Sequence, residues 1–291
     1  MTQEDEPRPA GVEGLLLVDK PQGVTSHDVV DAVRRALGTR KVGHAGTLDP
    51  MATGLLLVGV GRATRLLRFL GDLPKTYEGT GVLGVQTTTL DADGKVTATS
   101  PVAVTREGLE AATAAFVGES LQRPPAFSAV KVGGRKLYEA ARRGERLEAA
   151  PRPIRVDSFR IVDLERPSFR FVVTCSAGTY VRVLVADVGS ALGCGAHLSR
   201  LRRTAIGPFD VARAAPPSDP GPPLPFERAV AHLPRVNLEE LDEARAAANG
   251  SILAPAGIVG PYAVYSPDGR LIGIWRDTGA KAKPEMVLPP G

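Results

Sequence analysis

Apolar residues recur along the chain with two spacings, one typical of helices and one typical of strands. An apolar face that runs from Val29 to Leu37 predicts a helix. Ser26 is the residue expected to cap this helix, and Gly38 is expected to end it. A second helix is predicted to follow Thr105, with its end at Gly118.

Strands are predicted where large apolar groups occupy alternate positions or form short continuous runs. Alternation is found over residues 75–85 and 169–175, a further strand is predicted over 154–162, and apolar runs occupy 14–18 and 55–58. A short helix carrying Leu66, Leu67 and Phe69 is predicted after the second run. The dipeptides Asp93-Gly94 and Asp268-Gly269 each predict a hairpin turn.

Strands and helices that mix without a regular βα repeat predict an α+β fold. The run PPSDPGPPLP at positions 216–225 cannot form a helix or an internal strand, so it predicts a stiff surface connector at which the first core ends. A short helix over 238–248 and strands beyond it predict a small, mainly β module. The resulting division is a disordered leader (1–12), a first domain (13–213), a proline-rich connector (214–232) and the module (233–291).

Composition narrows the class of protein. The chain has 291 residues, of which 43% are hydrophobic and 23% charged, as in soluble globular proteins. No apolar run approaches the roughly 20 residues that span a bilayer, and MTQEDEPRPA lacks the features of a signal peptide. A cytoplasmic location is therefore expected. Cys175 and Cys194 lie far apart, so we expect buried thiols and neither a zinc site nor a redox pair.

Positive charge is concentrated in one segment. The formal net charge is only +4, but between Arg123 and Arg152 there are eight basic residues and three acidic ones. Such clustering suits contact with a phosphate backbone, because each neutralised phosphate releases counterions. The alternative is a basic face that is merely solvated.

The sequence VGHAGTLDPMATGLL surrounds Asp49 with three glycines and a proline. Tight turns of this kind can present a carboxylate from a loop, although an Asp-Pro pair is also common in ordinary turns. The chain has no phosphate-binding GxxxxGK[ST] motif, and His44 has no partner at metal-ligand spacing. Glycosidase-like chemistry would need a second carboxylate, for which Asp91 is the nearest candidate in sequence, and spacing does not decide that question.

Seven motifs, taken in order, carry a resemblance. They are KPxGxTS from Lys20, the block from Lys41 to Gly54, KxY at 75–77, TTTLDADG, QxPPxFSAxK with LYEAARRG, CSAGTYVRVLVADVG, and GCGAHLSRLRR. Over residues 14–212 they resemble the TruB family of tRNA pseudouridine-55 synthases. The resemblance implies the pseudouridine synthase fold, a mixed and mostly antiparallel sheet with flanking helices. It also implies uridine 55 of the tRNA TΨC arm as the substrate and no metal or organic cofactor.

The resemblance also implies roles for single residues. Asp49 matches the catalytic aspartate, Arg182 the arginine that pairs with it, and Tyr77 the active-site tyrosine that stacks on the target base. His44 matches a residue that occupies the space vacated by the flipped base. The remaining matches to substrate-pocket positions are Tyr180, Leu201 and Lys20. For Tyr180 and Leu201, core packing is an alternative because both lie in apolar runs.

The basic segment, 123–152, resembles the insertion that clamps the RNA loop in that family. The residues predicted to contact RNA are Lys131, Arg135, Lys136, Arg142 and Arg143. The pair Gly133-Gly134 is interpreted as a hinge, and the segment is expected to be mobile without RNA. The tail resembles a small PUA-type RNA-binding module. Phe127 stands where the family commonly has tyrosine, and the connector is longer and richer in proline than expected.

Two other classes of function remain open at this stage. The chain could be a tRNA-binding or folding-assisting protein without catalysis, or a related synthase that acts in a guide-RNA complex or at another RNA site. The presence of Asp49, Tyr77 and Arg182 favours an enzyme, because a pure binder of an anionic ligand has no need for a carboxylate facing it. The insertion favours a stand-alone enzyme, which we expect to be a monomer with no membrane association.

Overall fold

The computed structural model describes residues 12–145 and 147–288. The predicted leader, apart from Val12, therefore lies outside the described residues, as does Arg146 of the basic segment. Strands of the N-terminal part are β1 (Gly14–Lys20), β2 (Val42–Ala45), β3 (Thr53–Val60), β4 (Lys75–Leu83), β5 (Val85–Thr87), β6 (Val96–Thr99), β7 (Gly118–Gln122), β8 (Lys131–Val132), β9 (Arg135–Lys136), β10 (Arg152–Glu165), β11 (Ser168–Cys175), β12 (Ala196–Ile206) and β13 (Phe209–Asp210).

The helices are α1 (Ser26–Leu37), α2 (Leu67–Leu70), α3 (Arg106–Ala114), α4 (Leu137–Arg142), α5 (Val181–Ala191), α6 (Phe226–Ala229) and α7 (Leu241–Ala248). Short 3-10 turns cover Gly61–Arg65 and Val211–Arg213. The C-terminal part adds the strands β14 (Arg235–Asn237), β15 (Pro261–Tyr265), β16 (Leu271–Asp277) and β17 (Ala282–Val287). Within the described ranges, no helix is long and apolar enough to cross a membrane.

A nine-stranded sheet forms the body of the protein. Its order is β1-β3-β12-β4-β11-β10-β7, with β2 beside β3 and β13 beside β12. Every pair is antiparallel except β3 and β12, which meet in parallel at Thr53 and Gly54. The prediction of a mixed, mostly antiparallel sheet in an α+β fold is confirmed. The pairing of β3 with β12 matters for function because it places the strand after the Asp49 loop beside the strand that carries Leu201.

Helix α1 begins one residue away from the predicted position of its cap. Thr25, and not Ser26, is the N-cap: its hydroxyl accepts from the Asp28 amide at 3.1 Å, and the Asp28 carboxylate accepts from the Thr25 amide at 2.7 Å. This reciprocal capping box leaves Ser26 inside the first turn. The predicted end at Gly38 is confirmed, because Gly38 takes the left-handed conformation with φ 62°. By contrast, α3 already ends at Ala114, and Gly118 begins β7.

Alternation in β4 and β11 places their large side chains on one face, as predicted. Tyr77 and Leu83 on β4, and Phe169 and Phe171 on β11, are buried against α3 and α5. Cys175 and Cys194 are free, buried thiols, as predicted. On the other half of the sheet, α1 packs on alternate residues of β1 and β3. Helices α3 and α5 thus cover one half of the sheet, and α1 covers the half that contains β3, the strand after the Asp49 loop.

The C-terminal four-stranded sheet has the order β14-β15-β16-β17 and shares a core with the nine-stranded sheet. Leu15, Leu57, Tyr265, Ile274 and Met286 all belong to one cluster of buried side chains. The hydrophobic core expected to end at the connector thus continues across it.

The connector lies along the edge of β1, where the Leu15 and Leu224 backbones exchange hydrogen bonds of 2.9 and 2.7 Å. This agrees with the prediction of an extended surface segment. The pairing also covers part of the exposed strand edge.

The basic segment contains a small hairpin of β8 and β9 followed by α4. Lys131 pairs with Lys136 and Val132 with Arg135, so Gly133-Gly134 forms the two-residue turn. Both glycines have positive φ, 56° and 82°, as a tight turn with twisted strands requires. The pair therefore forms the tip of the hairpin, and its interpretation as a hinge stays a prediction.

Candidate active site

The loop that carries Asp49 runs from Gly46 to Ala52, between β2 and β3. Hydrogen bonds to Ser26 of α1 and within the loop hold its backbone in place. The Ser26 hydroxyl accepts from the Leu48 amide at 2.9 Å and donates to the Leu48 carbonyl at 3.3 Å. The Ala52 amide donates to the Asp49 carbonyl at 3.0 Å, which closes a turn at Pro50. These bonds hold the backbone on both sides of Asp49 and so orient its carboxylate.

Lys20 supports the same loop from the sheet side. Its side chain is fully buried, and Nζ donates to the carbonyls of Ala52 (2.6 Å), Pro21 (3.1 Å) and Pro50 (3.3 Å). Burial lowers the pKa of Lys20 to about 8, against an opposing effect of Asp49. Lys20 was predicted to bind substrate, but the structure uses its donors within the loop and leaves it outside the cavity around Asp49.

Arg182 lies in the first turn of α5 and links the Asp49 loop to two other segments. Its Nε lies 3.4 Å from Asp49 Oδ2, and Nη1 lies 3.4 Å from Asp91 Oδ2. Nη1 also donates to the Thr89 carbonyl at 3.2 Å, and Nη2 donates to the Phe127 carbonyl at 2.6 Å. Because the Arg182 side chain is 5% exposed, the guanidinium is held in one orientation between two carboxylates.

Asp91 is a residue of this site whose position the sequence could not give. It lies in the turn between β5 and β6, where its carboxylate accepts from the Thr89 hydroxyl and the Asp93 amide. Its side chain is 6% exposed, so Asp91 faces the buried side of Arg182, while Asp49, at 43%, faces the cavity. The nearest sequence candidate for a second carboxylate thus contacts the arginine and does not lie opposite Asp49 across a substrate.

A cavity of about 470 Å³ opens in front of Asp49. Five of the predicted residues line it together: Asp49, Tyr77, Tyr180, Arg182 and Leu201. The Gln122 side chain fixes Tyr180 by accepting from its amide at 2.8 Å and donating to its carbonyl at 3.2 Å. A cavity of this size, with aromatic walls and a few polar groups, is typical of a small-molecule or nucleotide site.

His44 lies apart from this group of residues, and a second cavity shares only Leu201 with the five residues named above. His44 lies on β2, half-buried, with Nδ1 buried and without a hydrogen-bond partner in the described residues. Burial lowers the pKa of His44, and the nearby Arg203 acts in the same direction, so the neutral ring is favoured. His44 does not line the cavity in front of Asp49. A larger cavity of about 700 Å³, lined by residues that include Glu78 and Arg170, contains neither Asp49 nor Asp91.

The electrostatics of Asp49 have two opposing causes. Partial enclosure by the cavity walls raises the pKa of its carboxyl group, and the Arg182 guanidinium opposes this rise. Burial also raises the pKa of Tyr77, and the positive charge of Arg203 opposes this rise, so Tyr77 is a neutral phenol at physiological pH. No cluster of three or more potential metal ligands occurs in the part of the chain that the structure describes.

Three family models match most of the chain in successive pieces. The N-terminal domain of TruB family pseudouridylate synthase matches residues 34–181, which include Asp49, Tyr77 and Tyr180. The chain belongs to the TruB family. The tRNA pseudouridylate synthase B C-terminal domain model matches 182–216, and the C-terminal model of tRNA pseudouridine synthase II matches 233–289. The protein is accordingly a pseudouridine synthase.

Relatives of this TruB-family synthase agree over nearly their full length. A tRNA pseudouridine synthase B of Mycobacterium sp. (strain KMS) is 46% identical over 292 residues, which cover 97% of this chain and 98% of the relative. The tRNA pseudouridine synthase B of Thermobifida fusca (strain YX) is 44% identical over 288 residues, covering 95% and 98%.

Solved structures confirm the pseudouridine synthase fold. The structure of a Cbf5-Nop10-Gar1 complex contains a chain that matches with a TM-score of 0.73 at 28% identity, covering 95% of this chain and 85% of that one. The archaeal box H/ACA sRNP Nop10-Cbf5 complex gives a TM-score of 0.71 at 27% identity, covering 95% and 86%. The predicted fold and enzyme class are thereby confirmed.

Proposed function

We propose that this synthase isomerises uridine 55 in the TΨC loop of tRNA and that Asp49 is its catalytic carboxylate. The substrate class is supported by the relatives named tRNA pseudouridine synthase B, which match nearly the whole chain at 44–46% identity. The role of Asp49 is supported by a single observation: it is the carboxylate that faces the cavity while an almost fully buried arginine holds it.

In the proposed reaction the target nucleotide is extruded from the RNA and enters the cavity, at a cost of a few kcal/mol that stacking and hydrogen bonds must offset. Tyr77, Tyr180 and Leu201 provide aromatic and apolar walls for the base. The C1′–N1 bond breaks with its electron pair on the base, and the base rotates and rejoins C1′ through C5. The C5 proton is then lost, and N1 is protonated.

Asp49 can serve this reaction in either of two ways. Its carboxylate can attack C1′ and trap the sugar, or it can take a ribose proton in an elimination route. Both require the ionised carboxylate, and the positive charge of Arg182, 3.4 Å from Asp49 Oδ2, favours that form. The long Nε to Oδ2 separation of 3.4 Å is of the kind that tightens when substrate closes the site.

The pH dependence of the reaction follows from the pKa of Asp49. Burial raises the pKa of the Asp49 carboxyl group above its ordinary value, so this group becomes protonated at a higher pH than an exposed aspartate would. We expect kcat/KM to fall as the pH drops through this raised value, because the protonated group can neither attack nor accept a proton. The measurement is the pH profile of kcat/KM with an RNA substrate. An acidic limb at or below the ordinary aspartate range would contradict this account.

We propose that the basic segment contacts RNA. Its cations differ in whether they already form ion pairs within the protein. Arg135 and Arg143 both pair with Glu145, at 2.7 and 2.9 Å, and Lys136 lies 3.5 Å from Glu139. Arg142 stacks near the Tyr138 ring instead, at 5.5 Å, and Lys131 has no ion pair with any described residue. Lys131 and Arg142 are therefore the best placed to exchange counterions for RNA phosphates.

The salt dependence of RNA binding tests this assignment. We expect Lys131→Ala and Arg142→Ala each to weaken tRNA binding and to reduce the slope of log K against log salt by roughly 0.7–0.9, the value for one lost phosphate contact. Arg106→Ala is the control, because Arg106 is an exposed arginine paired with Glu110 on α3. If the slopes of both variants equal that of the control, the segment does not contact phosphates.

Action within a guide-RNA assembly is the second candidate function, because an archaeal box H/ACA sRNP complex is among the structural matches. That match is 27% identical, whereas the relatives named for tRNA reach 46%. The greater likeness over the full chain favours the stand-alone tRNA enzyme.

The site of modification can be mapped directly. The purified protein is incubated with an unmodified tRNA transcript, and pseudouridine is located by sequence position. We expect product at uridine 55 alone, and none when that uridine is replaced by cytidine. Product at another position, or only in the presence of added guide RNA, would overturn the proposed substrate.

A further inference from the structure

Two buried cations line the Asp49 cavity and have no role in the isomerisation proposed above. Lys75 is 5% exposed and donates to the carbonyls of Gly71 (2.5 Å) and Leu73 (2.7 Å). Arg203 is 1% exposed and donates to the carbonyls of Leu55 (2.7 Å) and Gly46 (3.0 Å). Both line the cavity, and neither forms an ion pair with a carboxylate of the described residues.

The two cations are neighbours. A Cβ placed on Gly46 would lie 3.6 Å from Arg203 Nη1 and 3.7 Å from Lys75 Cε, so the two side chains flank the same glycine. Desolvation, reinforced by the positive charge of Arg203, lowers the pKa of Lys75 to about 8, which still leaves the ammonium mostly protonated at neutral pH. Asp72, the acidic residue that opposes this shift, is exposed.

The charges around the cavity do not balance. Lys75, Arg182 and Arg203 are three buried cations that line it, whereas Asp49 and Asp91 are the carboxylates that interact with Arg182. Carbonyl dipoles offset part of the desolvation cost of Lys75 and Arg203, but like charges held together in a closed site remain unfavourable. Such an arrangement becomes favourable when an anion enters.

We propose that Lys75 and Arg203 form an anion site that stabilises the detached base, as the uracil anion, after the C1′–N1 bond breaks. The inference rests on the proposed isomerisation. The electron pair of the broken bond leaves with N1 and spreads over the carbonyl oxygens of the ring, so the negative charge develops on the base. Fixed cations aimed at developing charge in a closed site lower the barrier without reorganisation.

The location of these cations favours the base over a backbone phosphate as their ligand. Lys75 precedes Tyr77 by two residues on β4, so both side chains point to the same face of the strand. Arg203 lies opposite Tyr77 in the neighbouring strand, and its positive charge acts on the Tyr77 hydroxyl. The cations therefore lie beside the aromatic ring proposed to stack on the base.

The acidity of the leaving base provides the test. Fluorine at C5 makes uracil more acidic, so 5-fluorouracil leaves as an anion that needs less external stabilisation. Two transcripts are compared, one with uridine and one with 5-fluorouridine at the target position. Consumption of the N1-linked nucleoside is followed under single-turnover conditions for wild type, Lys75→Met and Lys75→Arg. Lys41→Met, at an exposed position after α1, is the control.

We expect Lys75→Met to slow the uridine reaction on the order of 10²-fold and the 5-fluorouridine reaction by about 10-fold or less. Lys75→Arg should restore most of the rate, and the control should match wild type. The ratio of the two losses does not depend on the folded fraction, because misfolding lowers both rates equally. Arg203→Lys is a second variant and should show the same difference between the two substrates. Equal losses of rate for the two substrates in these variants would overturn the proposal. A wild-type protein inactive on both transcripts would instead refute the proposed function.

Discussion

Replacing Asp49 by asparagine is expected to lower the single-turnover rate on tRNA by about 10⁴-fold or more, with little change in affinity. Asparagine keeps the size and hydrogen-bonding shape of the side chain, but it can neither attack C1′ nor accept a proton. Asp49 lines the cavity with its backbone held by Ser26 and by the turn at Pro50, so the substitution should leave the loop in place. The measurements are rapid-quench kinetics and equilibrium RNA binding.

The matched control for this variant is Asp93→Asn. Asp93 is an exposed aspartate in the β5–β6 turn, close enough to influence the pKa of Asp49, but its carboxylate has no contact with Arg182. The control removes the same charge near the site and should retain nearly full activity. If Asp49→Asn kept a tenth of the wild-type rate, another group would have to perform the chemistry.

Arg182→Lys is expected to cause the second largest loss, roughly 10²- to 10³-fold in kcat. A guanidinium reaches Asp49, Asp91 and the Phe127 carbonyl at once because its five donors form a rigid fork. A lysine ammonium keeps the positive charge but is a single point on a flexible stem, so it cannot hold both carboxylates and both carbonyls. Asp49 would then lose its fixed orientation while staying ionised.

The test of this prediction separates orientation from charge. Because the charge is conserved, RNA affinity and its salt dependence should stay near wild-type values while kcat falls. Arg170→Lys is the control, since Arg170 is an exposed arginine that pairs with Asp163 at 3.0 Å. A loss of RNA affinity equal to the loss in kcat would show that Arg182 acts as a binding cation and does not position Asp49.

The parts of the site that the sequence predicted correctly are those that local pattern determines. Alternation along β4 is enough to place Tyr77 on the buried face, and the flanking glycines are enough to predict a loop at Asp49. The cap of α1 was misplaced by one residue because Thr25 and Ser26 both carry hydroxyls. Only the backbone shows which residue lies outside the helix. Strand β2 was missed because VGHA has no apolar alternation of its own.

Other parts depended on contacts between distant segments, which spacing does not encode. Lys20 carries a motif position but lies beneath the loop, because three carbonyls converge on its ammonium there. The contact of Asp91 with Arg182 joins residues 91 positions apart. The burial of Arg203 depends on the pairing of β12 with β3. The family resemblance supplied Arg182, whereas the contacts that bring Asp91, Lys75 and Arg203 into the site emerged from the folded arrangement.

The cluster of buried side chains shared by the two sheets gives the C-terminal strands and the sheet that carries the active site a common hydrophobic core. Removal of residues 233–291 would uncover Leu15, Leu57 and their neighbours, so a shortened chain should expose an apolar surface that favours aggregation. Heat should likewise melt both sheets in a single cooperative transition. If an RNA contacts both sheets, the two contact points on the RNA must be separated by the same fixed distance as the two sheets. The shared core would then select RNA substrates by their dimensions.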